Sequence, residues 1–458
     1  MAGISMSAAE INLTPTSTSF QAIVDSAPEG TTFRFSPGVY RNFSVQPKKG
    51  DTFQGAPGVS LNGSTVLTFR QSKPGLWVSD AGLPPETVDA GAPCDASLMN
   101  ADGSRYTVGC THARSLYRNN APLWRVATLQ EIGPGKWYFD DSSKQVWVGD
   151  DPAGVVLELA TMQDAFHGNA QNVTVASLVI EKYAGPQQHG AVSCQGGSGW
   201  TITGNTIRLN HADGIGFNCD STKIVGNRIT TNGNLGIGVC CAKDALIENN
   251  EIDHNNYARF DPGWEAGGVK TARTTALVVK KNNVHDNFGQ GLWSDIDAIF
   301  TIYDGNTVTN NSDGGIFYEI SHGAWIVRNI VSRNGSDAKG KSGGGWLYYG
   351  QIIVSTSDDV VVESNTITVG EFGNGITVLD QQRGSDDHGP LVARDNLVIN
   401  NKITYESAAG VTGAASDRDK IFENNNVFED NVSLGVNPAS HDHWNGITAP
   451  WSPNFKGR

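Results

Sequence analysis

The sequence predicts an all-β chain wound as a single-stranded right-handed parallel β-helix, with a small inserted β domain and a short N-terminal capping helix. Three observations predict it. Only 17% of the 458 residues are charged while 54 are glycine, so polarity comes from small residues that favour strands and tight turns over long helices. From Thr201 onward the phrase apolar-x-x-Asn-x-apolar recurs as ITGNTI, IVGNRI, IENNEI, VKKNNV, YDGNTV, IVRNIV, VESNTI, ARDNLV and FENNNV. Its central asparagines, Asn205, Asn227, Asn250, Asn282, Asn306, Asn329, Asn365, Asn396 and Asn425, keep a base spacing of 22 to 24 residues, lengthened in four places. Short β-rich segments at that period are the mark of a solenoid. Asparagine suits its turns, because it tolerates the left-handed backbone region and its amide can bond the same amide one coil away. Leucine-rich repeats share the period but need a leucine skeleton that is absent here.

The elements follow in order. Residues 1–68 hold Phe20, Ile23, Val24 and Ala27 at helical spacing, a short amphipathic helix that closes the open end of the solenoid, and then the first irregular coils. Over residues 69–160 the repeat lapses into alternating strands and turn signals, read as the inserted β subdomain. Residues 161–435 are the regular coils and 436–458 a C-terminal tail. Coils longer than the base period expel the surplus as loops, which wall the rigid sheet where sites are usually built.

A net charge of −14 argues against nucleic acid as a partner, and no apolar run of about 18 residues is present to span a membrane. The oligomeric state is left open. The opening MAGISMSAAE carries no basic-plus-apolar leader, which leaves location undecided between export, if a leader was trimmed, and the cytoplasm. Cys194, Cys219 and Cys241 are expected inside as free thiols packing like small hydrophobes, with Cys240 facing out. Cys94 and Cys110 fit either a disulfide, which would indicate export, or two thiols.

Strand alternation gives direction. In GLWSDID the aliphatic set Leu292, Ser294 and Ile296 belongs inside, turning Trp293, Asp295 and Asp297 outward. In GIFYEIS, Ile316, Tyr318 and Ile320 oppose Phe317 and Glu319. Asp295 and Glu319 each lie thirteen residues after their anchors, Asn282 and Asn306, so they occupy equivalent places on adjacent coils, ~4.7–4.9 Å apart along the ladder. That is close to the ~5–5.5 Å separation of the carboxyl pair in retaining glycosidases, and such closeness splits the pKa values into one ionised and one protonated group. The same register puts Lys270 in their row, with Glu265 at its edge. A structural calcium held by the acids, or plain solvation, is the alternative role. Asp297 is the alternative to Asp295.

At these residues the chain resembles the β-helix glycoside hydrolases that include β-xylosidases, in which a GLWxD-type strand carries the nucleophile and a GIxYEIS-type strand on the next coil carries the acid/base. The resemblance extends to TFRFSPGVYRNFSVQPKKGDTFQGAPG and GKWYFDDSSKQVWVGDDP. It implies Asp295 as nucleophile, Glu319 as acid/base, a carbohydrate substrate and no cofactor. Trp264 and Trp293 are expected as a sugar platform, Lys270 and Glu265 as groups that bind substrate hydroxyls or tune the acids, Trp346 and Tyr348 as stacking aromatics. His322 either positions the acid or is bound in a turn. Asp386, Asp387 and His388 fall in QQRGSDDHG, directly after Asp380, and these four residues are read as a polar loop with substrate or cation binding as the alternative to solvation. Two competitors stand beside this reading. One is a polysaccharide lyase or uronate epimerase with Lys270 as base; the other is a carbohydrate-binding solenoid without catalysis.

Overall fold

The computed structural model describes residues 9–80, 82–339, 347–416 and 424–444. The chain is a parallel β-helix, and it clusters into two compact units: Met1–Cys219 with Asn227–Asn234 and Tyr257–Asp261, and Asp220–Gly226 with Leu235–Asn256 and Pro262–Arg458.

In the first unit the helix Phe20–Ser26 buries Val24 and sets Phe20 against Phe43, ring centroids 5.0 Å apart. The coils then stack in parallel, as in the series Thr32–Phe35, Thr52–Gly55, Thr174–Ala176 and Thr201–Thr203. Residues 64–160 form two sheets with mainly antiparallel pairing. Their shared core is Leu116, Trp137, Phe139, Val146, Val148, Leu157 and Leu159.

The free-thiol expectation is overturned. Cys194 and Cys219 are bridged, as are Cys94 and Cys110, because adjacent coils bring the first pair to a Cα separation of 5.9 Å. In the second unit Cys240 and Cys241 are paired with each other, and Cys241 is exposed, not inside.

The second unit is three parallel ladders around an apolar interior. One interior row runs Ile247, Val279, Tyr303, Ile326, Val362 and Val398; another runs Ile237, Val269, Leu292, Ile316, Ile352 and Ile376. Strict in-register stacking keeps each row on one face, since a one-residue slip would turn every side chain over.

Asparagine columns hold that register. The Oδ1 of Asn306 accepts from the backbone N–H and the side-chain amide of Asn282, both at 3.0 Å, while its Nδ2 donates to the Val279 carbonyl at 2.9 Å and to Asn329 at 3.0 Å. The column continues through Asn365, Asn401 and Asn431. Here the phrase-based series departs from the structure. Asn396 and Asn425 lie outside this column; Asn396 begins a separate one, accepting from Val360 N–H and donating to Asn426. A second column runs Asn255, Asn287, Asn311 and Asn334 and ends on the Gln351 amide.

Replacing Asn306 with alanine removes an acceptor from two donors and a donor from a buried carbonyl. We expect Asn306→Ala to lower stability by about 3 kcal/mol, read as a fall in the thermal unfolding midpoint. A loss indistinguishable from that of an exposed Asn→Ala control would contradict a register held by the amide column.

Candidate active site

The site residues lie in the second unit. Its floor is built from the strands Gly267–Ala272, Gln290–Asp295, Ile316–Glu319 and Gly350–Ser355. Glycines open these strands because the backbones close up there: a Cβ on Gly291 would lie 2.6 Å from the Gly315 carbonyl oxygen, and one on Gly315 would lie 2.5 Å from that of Gln351. Beneath the outward side chains runs a buried hydroxyl chain, Thr271 to Ser294 at 2.7 Å and Ser294 to Tyr303 at 2.6 Å. The Tyr318 hydroxyl shares its bonding between the carbonyls of Ala298 and Gly323, each at 2.9 Å. These bonds satisfy the polar groups under the sheet and hold the residues that flank Asp295 and Glu319.

The register pairs Trp293 with Phe317 and Ser294 with Tyr318, so Asp295 and Glu319 follow as the next rung. Both strands end there. Ile296 and Ile320 take positive φ values, 52° and 40°, so alternation stops. Ile296 is 37% exposed where inside placement was expected, and Asp297 sits in the turn with φ 56°, not on the strand with Asp295.

Lys270 is also displaced from expectation. It pairs with Trp293, whereas Asp295 pairs with Ala272, so Lys270 stands two residues back on the same face. Its side chain nevertheless reaches forward. Nζ lies 3.0 Å from Asp295 Oδ2, donates to the Trp264 carbonyl at 2.6 Å, and stands 3.7 Å from the Trp293 ring centroid. The ammonium is thus fixed by a carboxylate, a carbonyl and a ring face.

Glu319 is buried and paired through Oε1 with Arg383 at 2.5 Å. Burial and the adjacent Asp295 carboxylate push its carboxyl above the usual range, and Arg383 and Lys270 pull the other way without reversing the shift. The Tyr348 hydroxyl donates to Gln381 Oε1 at 2.8 Å and is pushed up to about 12, chiefly by burial and then by the charge of Glu319.

Trp293 is not an open platform. It is 4% exposed and stacked on Phe317 at 5.5 Å, inside a cluster with Leu347, Tyr348, Tyr349, Ile353 and Leu379. Trp264, 42% exposed, offers free ring surface instead. Glu265 is buried just ahead of the Lys270 strand. His322 has both ring nitrogens engaged, Nδ1 with Asp358 and Nε2 with Asp386, each at 2.7 Å, which leaves it no nitrogen for a substrate. Asp380 ends the strand Asn374–Asp380 fully buried, accepting from Ala393 N–H, so it is no part of a polar loop. Trp346 lies outside the described residues.

Arg383 escaped the sequence reading. It lies on a connection with no repeat register, 64 residues from Glu319, and only its presence in the charged phrase QQRGSDDHG hinted at a role.

A family model described as the right-handed β-helix region matches residues 190–367. No curated protein sequence matches the chain. Among solved structures, the complex of XylC with xylose aligns with a TM-score of 0.67 at 16% identity, covering 93% of this chain and 86% of that one. The A-modules of the Azotobacter vinelandii mannuronan C-5 epimerases AlgE4 and AlgE6 align at 0.53 and 0.50, each at 12% identity over 94% of this chain and 93% and 94% of theirs. At these identities the likeness is one of fold: the chain is a right-handed parallel β-helix.

The Lys270–Asp295 pair yields a measurable coupling. In a double-mutant cycle of Lys270→Met and Asp295→Asn, unfolding free energies should give about 1–3 kcal/mol of coupling. A value under about 0.5 kcal/mol, typical of an exposed pair, would contradict the buried contact.

Proposed function

We propose that the protein is a retaining glycoside hydrolase, β-xylosidase-like, acting on polysaccharide or oligosaccharide glycosidic bonds. The observation that carries this reading is the contrast between two neighbouring carboxyl groups. Asp295 is paired with a fixed ammonium, and Glu319 is buried and pushed toward its protonated form. Environments that separate two carboxyl groups in this way assign one as nucleophile and the other as acid. Their place on adjacent rungs, with strands ~4.7–4.9 Å apart, suits the ~5–5.5 Å carboxyl separation of a retaining pair, in which the anomeric carbon is attacked directly.

In the first step an Asp295 carboxylate oxygen forms a bond to the anomeric carbon as the glycosidic bond breaks, and Glu319 gives its proton to the departing oxygen. Arg383 occupies Oε1, which leaves Oε2 to carry that proton. In the second step Glu319, now a carboxylate, takes a proton from water as the water oxygen attacks the anomeric carbon. The ester to Asp295 breaks and both groups return to their starting states. Lys270 holds the Asp295 carboxyl in place through their 3.0 Å ion pair, and Trp264 supplies the flat face for a pyranose ring.

A lyase or epimerase would need Lys270 as a base. Its Nζ is instead anchored by Asp295, the Trp264 carbonyl and the Trp293 ring, an engaged group and not a free base facing substrate.

Purified protein is to be tested on a panel of aryl glycosides and polysaccharides. Glu319→Gln should lose roughly 10²–10⁴-fold in kcat and Asp295→Asn at least as much, and proton NMR of the first-formed sugar should show the substrate's own anomer. Full rates in both variants would sink the carboxylate assignment, an inverted anomer the retaining mechanism, and glycan binding without turnover the enzyme reading.

The pH profile offers a further check. The basic limb of kcat/KM reports loss of the Glu319 proton. Arg383 favours the ionised form, so Arg383→Ala should raise the Glu319 pKa and move that limb to higher pH by about one unit or more. A limb that stays or moves to lower pH would contradict the role given to Arg383.

A further inference from the structure

A second cluster forms where the turn after Asp295 meets the hairpin after Arg383. One ligand atom each from Asp297, His322 and Asp386 lies within 4.8 Å of the others. His388 joins them, with Nε2 3.3 Å from Asp297 Oδ1 and its ring 5.0 Å from that of His322.

Two further observations point to a ligand. His322 Nδ1 is bonded to Asp358, and Asp358 is itself gripped by Arg394 through Nε and Nη2 at 3.1 and 2.9 Å. This fixes the ring and aims Nε2 at Asp386, the outer-shell carboxylate arrangement that orients metal-binding histidines. Independently, Asp297 Oδ1 is turned away from solvent, and the group facing it is His388 Nε2 at 3.3 Å. A carboxylate oxygen shut off from water is stabilised by a cation, and a metal ion between Asp297 and His388 would serve both groups.

We propose that Asp297, His322, Asp386 and His388 bind one divalent transition-metal ion, of the Zn²⁺ class. Two imidazoles and two carboxylates supply the four-ligand nitrogen and oxygen set such ions favour, whereas Ca²⁺ takes six to eight oxygens. Asp386 and His388 sit on the exposed hairpin Ser385–Asp386 and Gly389–Pro390, where side-chain rotation can bring them to metal-ligand distance. On binding, the proton shared between His322 Nε2 and Asp386 is released to solvent and the nitrogen lone pair goes to the metal. The ion ties the hairpin to the coil carrying Asp297 and so steadies the neighbouring Arg383. The site itself stands whether or not Glu319 is the acid.

The test uses the full chain without a polyhistidine tag, stripped with a chelator and titrated with Co²⁺, Zn²⁺ or Ca²⁺ alone. Expected are one Co²⁺ per chain with the visible absorption of a nitrogen and oxygen site, and a Zn²⁺-dependent rise in the unfolding midpoint that Ca²⁺ does not produce. His388→Gln, on the exposed hairpin, should weaken Co²⁺ binding at least tenfold, and Asp386→Ala should do the same. Absence of stoichiometric Co²⁺ and Zn²⁺ binding, binding unchanged in both variants, or an equal shift with Ca²⁺ would each overturn the proposal. Because these readouts are independent of turnover, their failure is distinct from failure of the hydrolase reading.

Discussion

One hydrogen bond, from an asparagine amide to the equivalent amide on the next coil, sets the register of the second unit. Each bond is modest alone, but the groups it satisfies are buried, so removing one strands several at once. The column runs unbroken from Asn250 to Asn431 through coils whose lengths differ by up to 13 residues, with spacings from 23 to 36. Surplus chain is therefore expelled at loops, and the sheet keeps its alignment.

The candidate site draws on both parts of that design. The aligned sheet supplies Asp295 and Glu319 as consecutive rungs and buries Tyr318 and Ser294 beneath them. The irregular segments supply what a ladder cannot: Trp264 ahead of the Lys270 strand, and Arg383 from the connection after Asp380. A repeating sheet presents the same position over and over, so differences between neighbouring carboxyl groups have to come from partners. Lys270 contacts Asp295, Arg383 contacts Glu319, and burial does the rest.

The parts legible in the sequence are those governed by periodicity. The fold, the Phe20–Ser26 helix and the outward turn of Asp295 and Glu319 follow from alternation and spacing. Errors arose where local phrases imitate the repeat or where a strand stops. ARDNLV matches the motif, yet the central column takes Asn401 after the strand instead of Asn396 before it. Ile296 looks like an inside residue until its positive φ ends the strand. Lys270 has the right face but the wrong rung, because a 32-residue coil cannot be counted back from its anchor. The Cys194–Cys219 bridge needs a coil-to-coil distance that sequence spacing does not give. Arg383 and the partners of His322 come from a connection with no period at all.

The central claim is that Asp295 forms a covalent bond to the sugar. Incubation with an activated 2-deoxy-2-fluoro glycoside, which slows both steps and the second most, followed by intact-mass measurement and peptide mapping, tests it directly. The account predicts one added glycosyl unit per chain, carried by the peptide containing Asp295 and absent in Asp295→Asn. Turnover of the parent glycoside with the label on another residue, or with no labelled protein at any time, would contradict it.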